Sequence, residues 1–379
     1  MSTPQFRIWF GSTAATALQL RRIEQIEVTQ EMDAIWEARI EMVLALDARG
    51  QWLDWPGDSR EPFSRVRVEV DPGNGSFAPL IDGPLVSIDA GLDALPGRSV
   101  ATMVVRDDSA FLNRDEGTEP PFEHRSDGQI AQELFSRFSQ LKSQDIRATQ
   151  LTPETTTRRG TVLQFLRDLA RANDRHAYVL PGAAPGASIG CFLPDPQGPA
   201  ALPPLLMVGQ SRNVAHARIS QDPEGPERSQ AQLLRLDDKG VTTFETSSTE
   251  LGLMRELPAR PADLTPRRLL HPADNLRADP SAAASGAARR GGYVYRLEGQ
   301  TVPGRYPAVL VPYQKVRLDA GALPYSGDYL ITQVVHRITP SLYTQHLSAK
   351  TDSVSAVPKT APSAAGAGGL QASLSVGIF

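Results

Sequence analysis

The stretch "AIWEARIEMVLALD" places Ala34, Trp36, Ala38, Ile40, Met42, Leu44 and Leu46 at every second position, with Glu37, Arg39 and Glu41 between them. Period two over this length predicts a long strand from Ala34 to Asp47, with one apolar and one polar face. "SRVRVEV" repeats the pattern with Val66, Val68 and Val70. The "DPGNGS" stretch from Asp71 to Ser76 supplies turn residues, and "PLVSIDAGLDALPGRSVATMVVRD" reads as two further strands. Residues 1–109 are therefore expected to form an antiparallel β-module. Closing it into a barrel would remove the exposed edges of such long strands.

The period then changes. Ser126 and Gln129 have capping-box spacing, and Ile130, Leu134, Phe138 and Leu141 follow at helical intervals. Thr161 and Gln164 repeat the spacing ahead of an apolar stripe of Val162, Phe165, Leu166 and Leu169. Asn173-Asp174 ends that helix and "HAYVLP" reads as a strand, so 110–199 is expected to be a small α/β module. Residues 200–256 return to β-like patterning, as in "AQLLRLD" and "VTTFETS". A Pro-, Ala- and Arg-rich stretch over 257–291 reads as a flexible or weakly helical connector, and 292–352 as a last β-module. From 353 to 379 the chain is a low-complexity tail with an apolar end, "LQASLSVGIF", expected to be a flexible spacer with a docking terminus. No solenoid or propeller repeat is present.

With 379 residues the chain is long enough for two to four modules that bury their own cores. Its one cysteine, Cys191, excludes an intramolecular disulfide and a thiolate-rich zinc site. The 39 basic and 43 acidic residues give a net charge of −4, without the basic footprint of a nucleic-acid binder. No apolar run approaches the ~20 residues that span a bilayer. The opening "MSTPQFRIWFGSTAATALQLRR" lacks the basic and apolar regions of a signal peptide, so no ordinary export address is expected. The spread of 31 prolines and 30 glycines favours short elements and many turns.

One catalytic pattern matches by letters: Gly186-Ala187-Ser188-Ile189-Gly190 fits G-x-S-x-G. A nucleophile elbow needs a strand before the serine and a helix after it. Here Pro-Gly steps precede the serine and prolines follow it, so a Gly/Pro loop is the expectation. "DPGNGSFAPLID" begins like a calcium loop but has Gly73 where an oxygen ligand belongs. His336 and His346 lie in "SGDYLITQVVHRITPSLYTQHLSAK", which reads as a hairpin turning near "TPS". A loop of odd length sets His336 opposite His346, as a metal pair would need, and a two-residue loop sets it opposite Gln345. No third ligand is evident for zinc, and the sequence favours an imidazole that closes the hairpin through hydrogen bonds. His124, His176, His216 and His271 are scattered, and Cys191 reads as a small buried hydrophobe. No catalytic, cofactor-binding or metal-ligating residue is assigned.

The same hairpin resembles the C-terminal hairpin of the phage late control gene D family, the tail hub proteins of contractile phages and related injection systems, which are similar to the N-terminal part of VgrG. Gly327, Tyr329, Ile331, Val334 and His336 fit the family's G-x-Y-x-[VI]-x-x-V-x-H strand. "SDGQIAQELFSRF" and "TVLQFLRDLARANDRHAYV" are similar to its two helical stretches. "GQTVPGRYPAVLVPYQKV" loosely resembles the segment ahead of the hairpin, with Val311-Pro312 in place of a second glycine. The resemblance touches about a third of the chain, in the family's order, and leaves 200–290 unmatched.

The resemblance implies a mainly β fold: two barrel-like antiparallel tube-type domains, 1–109 and 292–352, plus an inserted α/β domain. It implies a homotrimer whose six β-modules form a pseudo-sixfold ring, with the hexameric inner tail tube on one side, the trimeric spike on the other and further baseplate proteins around it. No catalysis, cofactor, nucleic-acid contact or membrane span is implied. Assembly is expected in the cytoplasm, into a virion tail or a released tail-like particle. Two other classes compete: a hub-associated peptidoglycan hydrolase, which needs a cleft of converging carboxylates or a metal, and a freestanding multi-barrel carbohydrate- or surface-binding protein, which needs an exposed aromatic platform.

Overall fold

In the computed structural model the residues described are 5–46, 49–51, 63–95, 97–117, 119–150, 152–221, 230–237, 240–247, 267–269, 280–352 and 354. The chain begins with β1 (Gln5–Phe10), β2 (Thr13–Ala14), α1 (Ala17–Arg21), β3 (Ile23–Glu31), β4 (Glu37–Val43), β5 (Arg65–Asp71), β6 (Ala78–Gly91) and β7 (Val100–Arg106). An α/β unit follows: α2 (Ser109–Leu112), β8 (Phe122–Glu123), α3 (Asp127–Ser136), β9 (Leu141–Ile146), β10 (Thr155–Thr156), α4 (Val162–Ala172), β11 (His176–Leu180) and β12 (Ser188–Leu193). Next come β13 (Leu205–Leu206), β14 (Val214–Gln221), β15 (Gln230–Asp237), β16 (Gly240–Ser247), β17 (Arg267–Leu269) and α5 (Pro280–Gly292). The last strands are β18 (Tyr295–Thr301), β19 (Lys315–Asp319), β20 (Gly327–Thr339) and β21 (Leu342–Thr351).

The architecture is mainly β. One large, curled antiparallel sheet runs β14-β18-β21-β20-β3-β4-β7-β6-β5-β1-β2, with β13 and β19 attached beside β20. The two β-modules read from the sequence are thus halves of one sheet, joined where β20 pairs with β3 from Gln333↔Glu31 to Ile338↔Ile26. β14, within the 200–256 segment, pairs with β18 and belongs to the second half. β15, β16 and β17 form a separate small sheet. Over 257–291, expected to be a connector, residues 280–292 form α5. The tail from 353 onward lies outside the described residues except Val354, which is buried.

The alternating segment folds as its pattern requires over a shorter length. Trp36, Ala38, Ile40, Met42 and Leu44 are buried, but Leu46 is exposed. The Leu44 amide donates to Ser99 O beyond the end of β4, whose pairing with β7 stops at Val43↔Val100. β5 departs from a one-sided pattern: Val66, Val68 and Val70 are buried, and so are Arg67 and Glu69 between them. Its second face is covered by the α/β unit.

Both capping boxes form, with Ser126 and Thr161 as N-caps and Gln129 and Gln164 reaching back. α3 stops at Ser136, so Phe138 follows the helix and Leu141 opens β9 instead of extending the apolar stripe. The β11–β12 hairpin lies between two cores. Ala177, Val179 and Phe192 pack with Ile130, Leu134 and Leu166 of the helices. On the opposite face, Tyr178 and Cys191 join the core of the large sheet, with Ile26, Ile40 and Val68. A third core, including Leu297, Val316, Tyr329, Ile331 and Leu347, fills the second half.

Candidate functional site

The charged and polar side chains that the fold brings together lie at the seams between its parts and on the open face of the sheet. The first seam joins the two sheet halves. Thr339 pairs with Leu342, so the hairpin turns on Pro340-Ser341 and His336 stands opposite Gln345, while His346 stands opposite Val335. The two histidines therefore point to opposite faces. His336 is fully buried. Its Nδ1 lies 2.9 Å from the Tyr343 hydroxyl and its Nε2 3.1 Å from Gln30 Oε1. Gln30 Nε2 in turn donates to Leu80 O at 2.7 Å. The amide orientation fixes the tautomer: Nε2–H donates to Gln30, and Nδ1 accepts from Tyr343. Burial pushes the His336 pKa down to about 3, so the imidazole is neutral.

The second seam ties the α/β unit to β5. Arg67 is 1% exposed, and its guanidinium meets Glu69 at 2.7 Å, Asp82 at 3.0 Å and the carbonyl of Gly182 at 2.8 Å. Arg65 bridges Asp82 at 2.6 Å and Asp108 at 2.9 Å. The Gly186 amide donates to Asp82 at 2.9 Å and the Ser188 hydroxyl to Asp108 at 2.7 Å. Each buried charge is met by a partner of opposite charge and by further hydrogen bonds, the condition under which ion pairs persist in a core. Burial raises the Asp108 pKa, and the Arg65 charge acts against it.

The G-x-S-x-G letters, expected in a Gly/Pro loop, run instead into a strand. Ser188 is the first residue of β12, fully buried, and is followed by strand instead of helix. Gly190 is a glycine for packing reasons: a Cβ there would lie 2.7 Å from the Phe135 ring. The Asp71 carboxylate is likewise occupied by backbone, accepting from the amides of Gly73, Asn74 and Gly75 at 2.8, 3.0 and 3.1 Å.

The third seam converges on His176. Its Nδ1 lies 3.0 Å from Asp33 in the β3–β4 turn, and its Nε2 3.0 Å from Asp195 after β12. Tyr293 donates to the other Asp195 oxygen at 2.8 Å, and Lys350 Nζ lies 4.1 Å from the Tyr293 ring centre. Burial alone would lower the His176 pKa; hydrogen bonds and charge from Asp195 and Asp33 outweigh it and raise the pKa to about 9. Burial likewise opposes ionisation of Asp195, yet the His176 hydrogen bond and charge hold it at about 2.

The sequence reading left His176 among scattered histidines and singled out none of Asp33, Asp195, Arg65 or Arg67. Only the arginines carried a local signal, as charges between valines in "SRVRVEV". His124 follows β8, His216 is exposed on β14, Cys191 is buried and His271 lies outside the described residues. Among the described residues no group of three or more His, Cys, Asp or Glu is arranged to hold a metal ion. No described helix is long and apolar enough to cross a membrane.

The open face of the sheet is polar and internally paired. Arg337, Glu27 and Arg39 lie in register across β20, β3 and β4. Arg337 meets Glu27 at 2.6 Å, and Glu37 meets Arg39 at 3.1 Å and Arg106 at 3.3 Å.

No family profile and no curated protein matches this sequence. Solved structures do match its fold. A tail protein from Neisseria meningitidis superposes with a TM-score of 0.60 at 13% identity, covering 93% of this chain and 97% of that one. The 43 kDa tail protein of prophage MuSo2 from Shewanella oneidensis gives 0.58 at 15% identity, covering 91% and 97%. An Escherichia coli type VI secretion component, described as similar to T4 tail proteins gp27 and gp5, gives 0.51 at 11% identity, covering 86% and 73%. The chain therefore has the fold of phage tail proteins and of a related secretion-system component.

Proposed function

We propose that this chain is the structural hub subunit of a contractile tail or tail-like injection particle. In this reading it forms a cyclic trimer and adapts a hexameric inner tube to a trimeric spike, without catalysis. Assembly takes place in the cytoplasm, with further baseplate proteins docking around the ring.

One observation carries the reading. The eight strands β14-β18-β21-β20-β3-β4-β7-β6 form a continuous run, four from each half of the chain, whose open face is polar and ion-paired. Both ends of the run have a free edge among the described residues. β14 pairs only with β18, and β6 beyond Leu85 pairs only with β7. Two different edges on one molecule make a head-to-tail contact, and head-to-tail contacts close into rings when the rotation allows. Three copies, each with two related halves, present six repeats, the number that a sixfold tube requires. The similarity to tail proteins along nearly the whole chain supports the same assignment.

The test is the native mass of the core complex released from assembled particles. Three copies per complex, retained with the spike protein, is the expected result. One or six copies would overturn the ring.

A further inference from the structure

The β11–β12 hairpin, which carries the α/β unit, is fastened to the sheet at both of its ends by different chemistry. At its turn, the carbonyls of Gly182 and Ala183 accept from Arg67 at 2.8 and 3.2 Å, and Gly186 donates to Asp82 at 2.9 Å. These groups belong to a buried network with several ion pairs. At its open end, His176 pairs with Leu193, and its imidazole makes the ionic contacts of the attachment. That ring bridges Asp33 of the first sheet half and Asp195 of the hairpin's own exit, each at 3.0 Å. Asp195 continues to Tyr293, ahead of β18. Tyr313 completes the seat: its ring lies edge-on to His176 at 5.4 Å, stacks on Tyr178 at 3.6 Å, and its hydroxyl accepts from the Asp33 amide at 2.7 Å.

The backbone around this seat is held in an unfavourable conformation. Five non-glycine residues have positive φ among the described residues, and two of them, Asp33 at 59° and Tyr313 at 65°, are held by this junction; Asp174 at 54° is the left-handed cap that ends α4, with the Arg175 amide donating to Ala170 O. Such conformations persist only where surrounding contacts over-determine them. Removing the contacts that hold Asp33 and Tyr313 therefore also removes the reason for their geometry.

We propose that His176 is the pin of a latch. Its bond to Asp33 holds the open end of the β11–β12 hairpin against the first sheet half, its bond to Asp195 orders the exit that Tyr293 ties to the second, and breaking them loosens that end on the Asp33 side while the Arg67 network keeps the turn in place. The imidazole makes both bonds only as a cation, because a neutral ring has one N–H and must leave one carboxylate without a donor. The other charged groups facing the pin are Arg167 and Arg171 on α4, Asp174 ahead of β11, and Lys350 on β21. Asp174 is held by Arg289 of α5 at 3.2 Å, with Arg290 at 3.7 Å, and Tyr178 and Tyr293 remain protonated because burial raises their pKa values. The sign follows from the raised His176 pKa: the latch is closed below its ordinary value of 6.5 and opens as pH rises through about 9. It opens again in acid as Asp195 is protonated toward about 2. The device is independent of the number of copies in the assembly.

Amide hydrogen exchange on the full chain, corrected for intrinsic base catalysis at each pH, tests the proposal. Between pH 8 and pH 10 the amides of 31–36 and 176–178 should lose protection about tenfold, a change of one unit in the logarithm of the opening constant, while those of β3 and β20 keep theirs. His176→Gln should show the loosened state already at pH 8, with no further step. Asp33→Asn tolerates the positive φ and keeps the amide that bonds Tyr313, so it serves if the first variant fails to fold; it should move the step to lower pH. A step of equal size in Asp33→Asn and the parent protein, or a loss of protection spread equally over β3 and β20, overturns the latch.

Discussion

His336 and Gln345 stand opposite each other across the Pro340-Ser341 turn, both buried, and each ties the hairpin to a different part of the chain. His336 reaches Gln30 on β3. Gln345 accepts from the Leu310 amide at 2.7 Å and donates to Ala308 O at 2.9 Å, fixing the segment ahead of β19. The histidine that looked like half of a metal pair is thus one of two buried polar anchors. Its partner was set by loop length: two turn residues instead of three.

The His336 anchor predicts acid sensitivity. Its pKa falls from 6.5 to about 3 on folding through burial, so the unfolded chain binds more protons between these values and stability falls as pH drops below 6.5. At pH 5 the loss is about 2 kcal/mol, from about 1.4 kcal/mol per unit. Asp107 acts in the opposite direction, because burial raises its pKa to about 6 and the folded state gains from its protonation. The difference between parent and His336→Asn isolates the histidine. The variant should lose about 1 kcal/mol at pH 7.5, and the gap should close or reverse by pH 5. Denaturant melts at the two pH values measure it; a gap that is the same at both rules out a neutral buried imidazole.

Gly83 sits where β6 passes from pairing with β5 to pairing with β7. A Cβ there would lie 2.0 Å from the carbonyl oxygen of Arg106 and 2.9 Å from the carbonyl carbon of Asp107. Both are backbone atoms and cannot rotate away. Gly83→Ala should cost at least 1–3 kcal/mol, the range for overpacking a tight interior. Gly75, with positive φ and open space around it, gives the contrast: Gly75→Asn should cost under about 1 kcal/mol because asparagine tolerates that conformation. Thermal melts of the pair showing equal losses would place the Gly83 constraint elsewhere.

Much of the fold was legible because it depends on local chemistry. The capping boxes at Ser126 and Thr161, the buried alternation from Trp36 to Leu44 and the strand after Asn173 follow from nearest neighbours and periodicity. The union of the two sheet halves through β20 and β3 was not legible, since pairing between residues some 300 positions apart leaves no periodic trace. The same limit hid the His176 junction: Asp33, Asp195 and Tyr313 are distant in sequence, and each is ordinary in its own segment. Arg67 could have been noticed. A charge between buried valines reads as a solvated face unless another layer covers the strand, and here the α/β unit does.

Ser188 separates a structural from a catalytic reading of the G-x-S-x-G letters. Its hydroxyl donates to the Asp108 carboxylate at 2.7 Å in a fully buried site. Hydrogen bonds to charged groups contribute about 1.5–3 kcal/mol. Ser188→Ala should lose stability in that range while the native mass of the assembly is unchanged, and a serine-reactive fluorophosphonate should label neither protein. Labelling of the parent at Ser188 would count against the structural role.

The Arg67–Asp82 pair predicts an asymmetric double-mutant cycle. Arg67→Met removes a guanidinium from Asp82, which keeps Arg65 at 2.6 Å and the Gly186 amide at 2.9 Å. It also removes the donors to the Gly182 and Ala183 carbonyls, and Glu69 keeps the Trp9 indole N–H at 3.2 Å. Asp82→Leu is more damaging, because it strips a carboxylate from two arginines at once and leaves Arg67, 1% exposed, with Glu69 as its remaining acidic partner. Uncompensated buried charge typically costs about 3–5 kcal/mol, and replacing a whole buried pair by apolar side chains costs far less. The double variant Arg67→Met/Asp82→Leu should therefore be more stable than Asp82→Leu alone, with a coupling energy of about 1–3 kcal/mol. Arg65 sets the limit of the rescue: with Asp82 gone it holds only Asp108 at 2.9 Å, so the double variant stays below the parent. Urea melts of all four proteins provide the measurement. Additive losses would mean that each residue acts through its backbone contacts alone and that the ion pair is incidental to the seam.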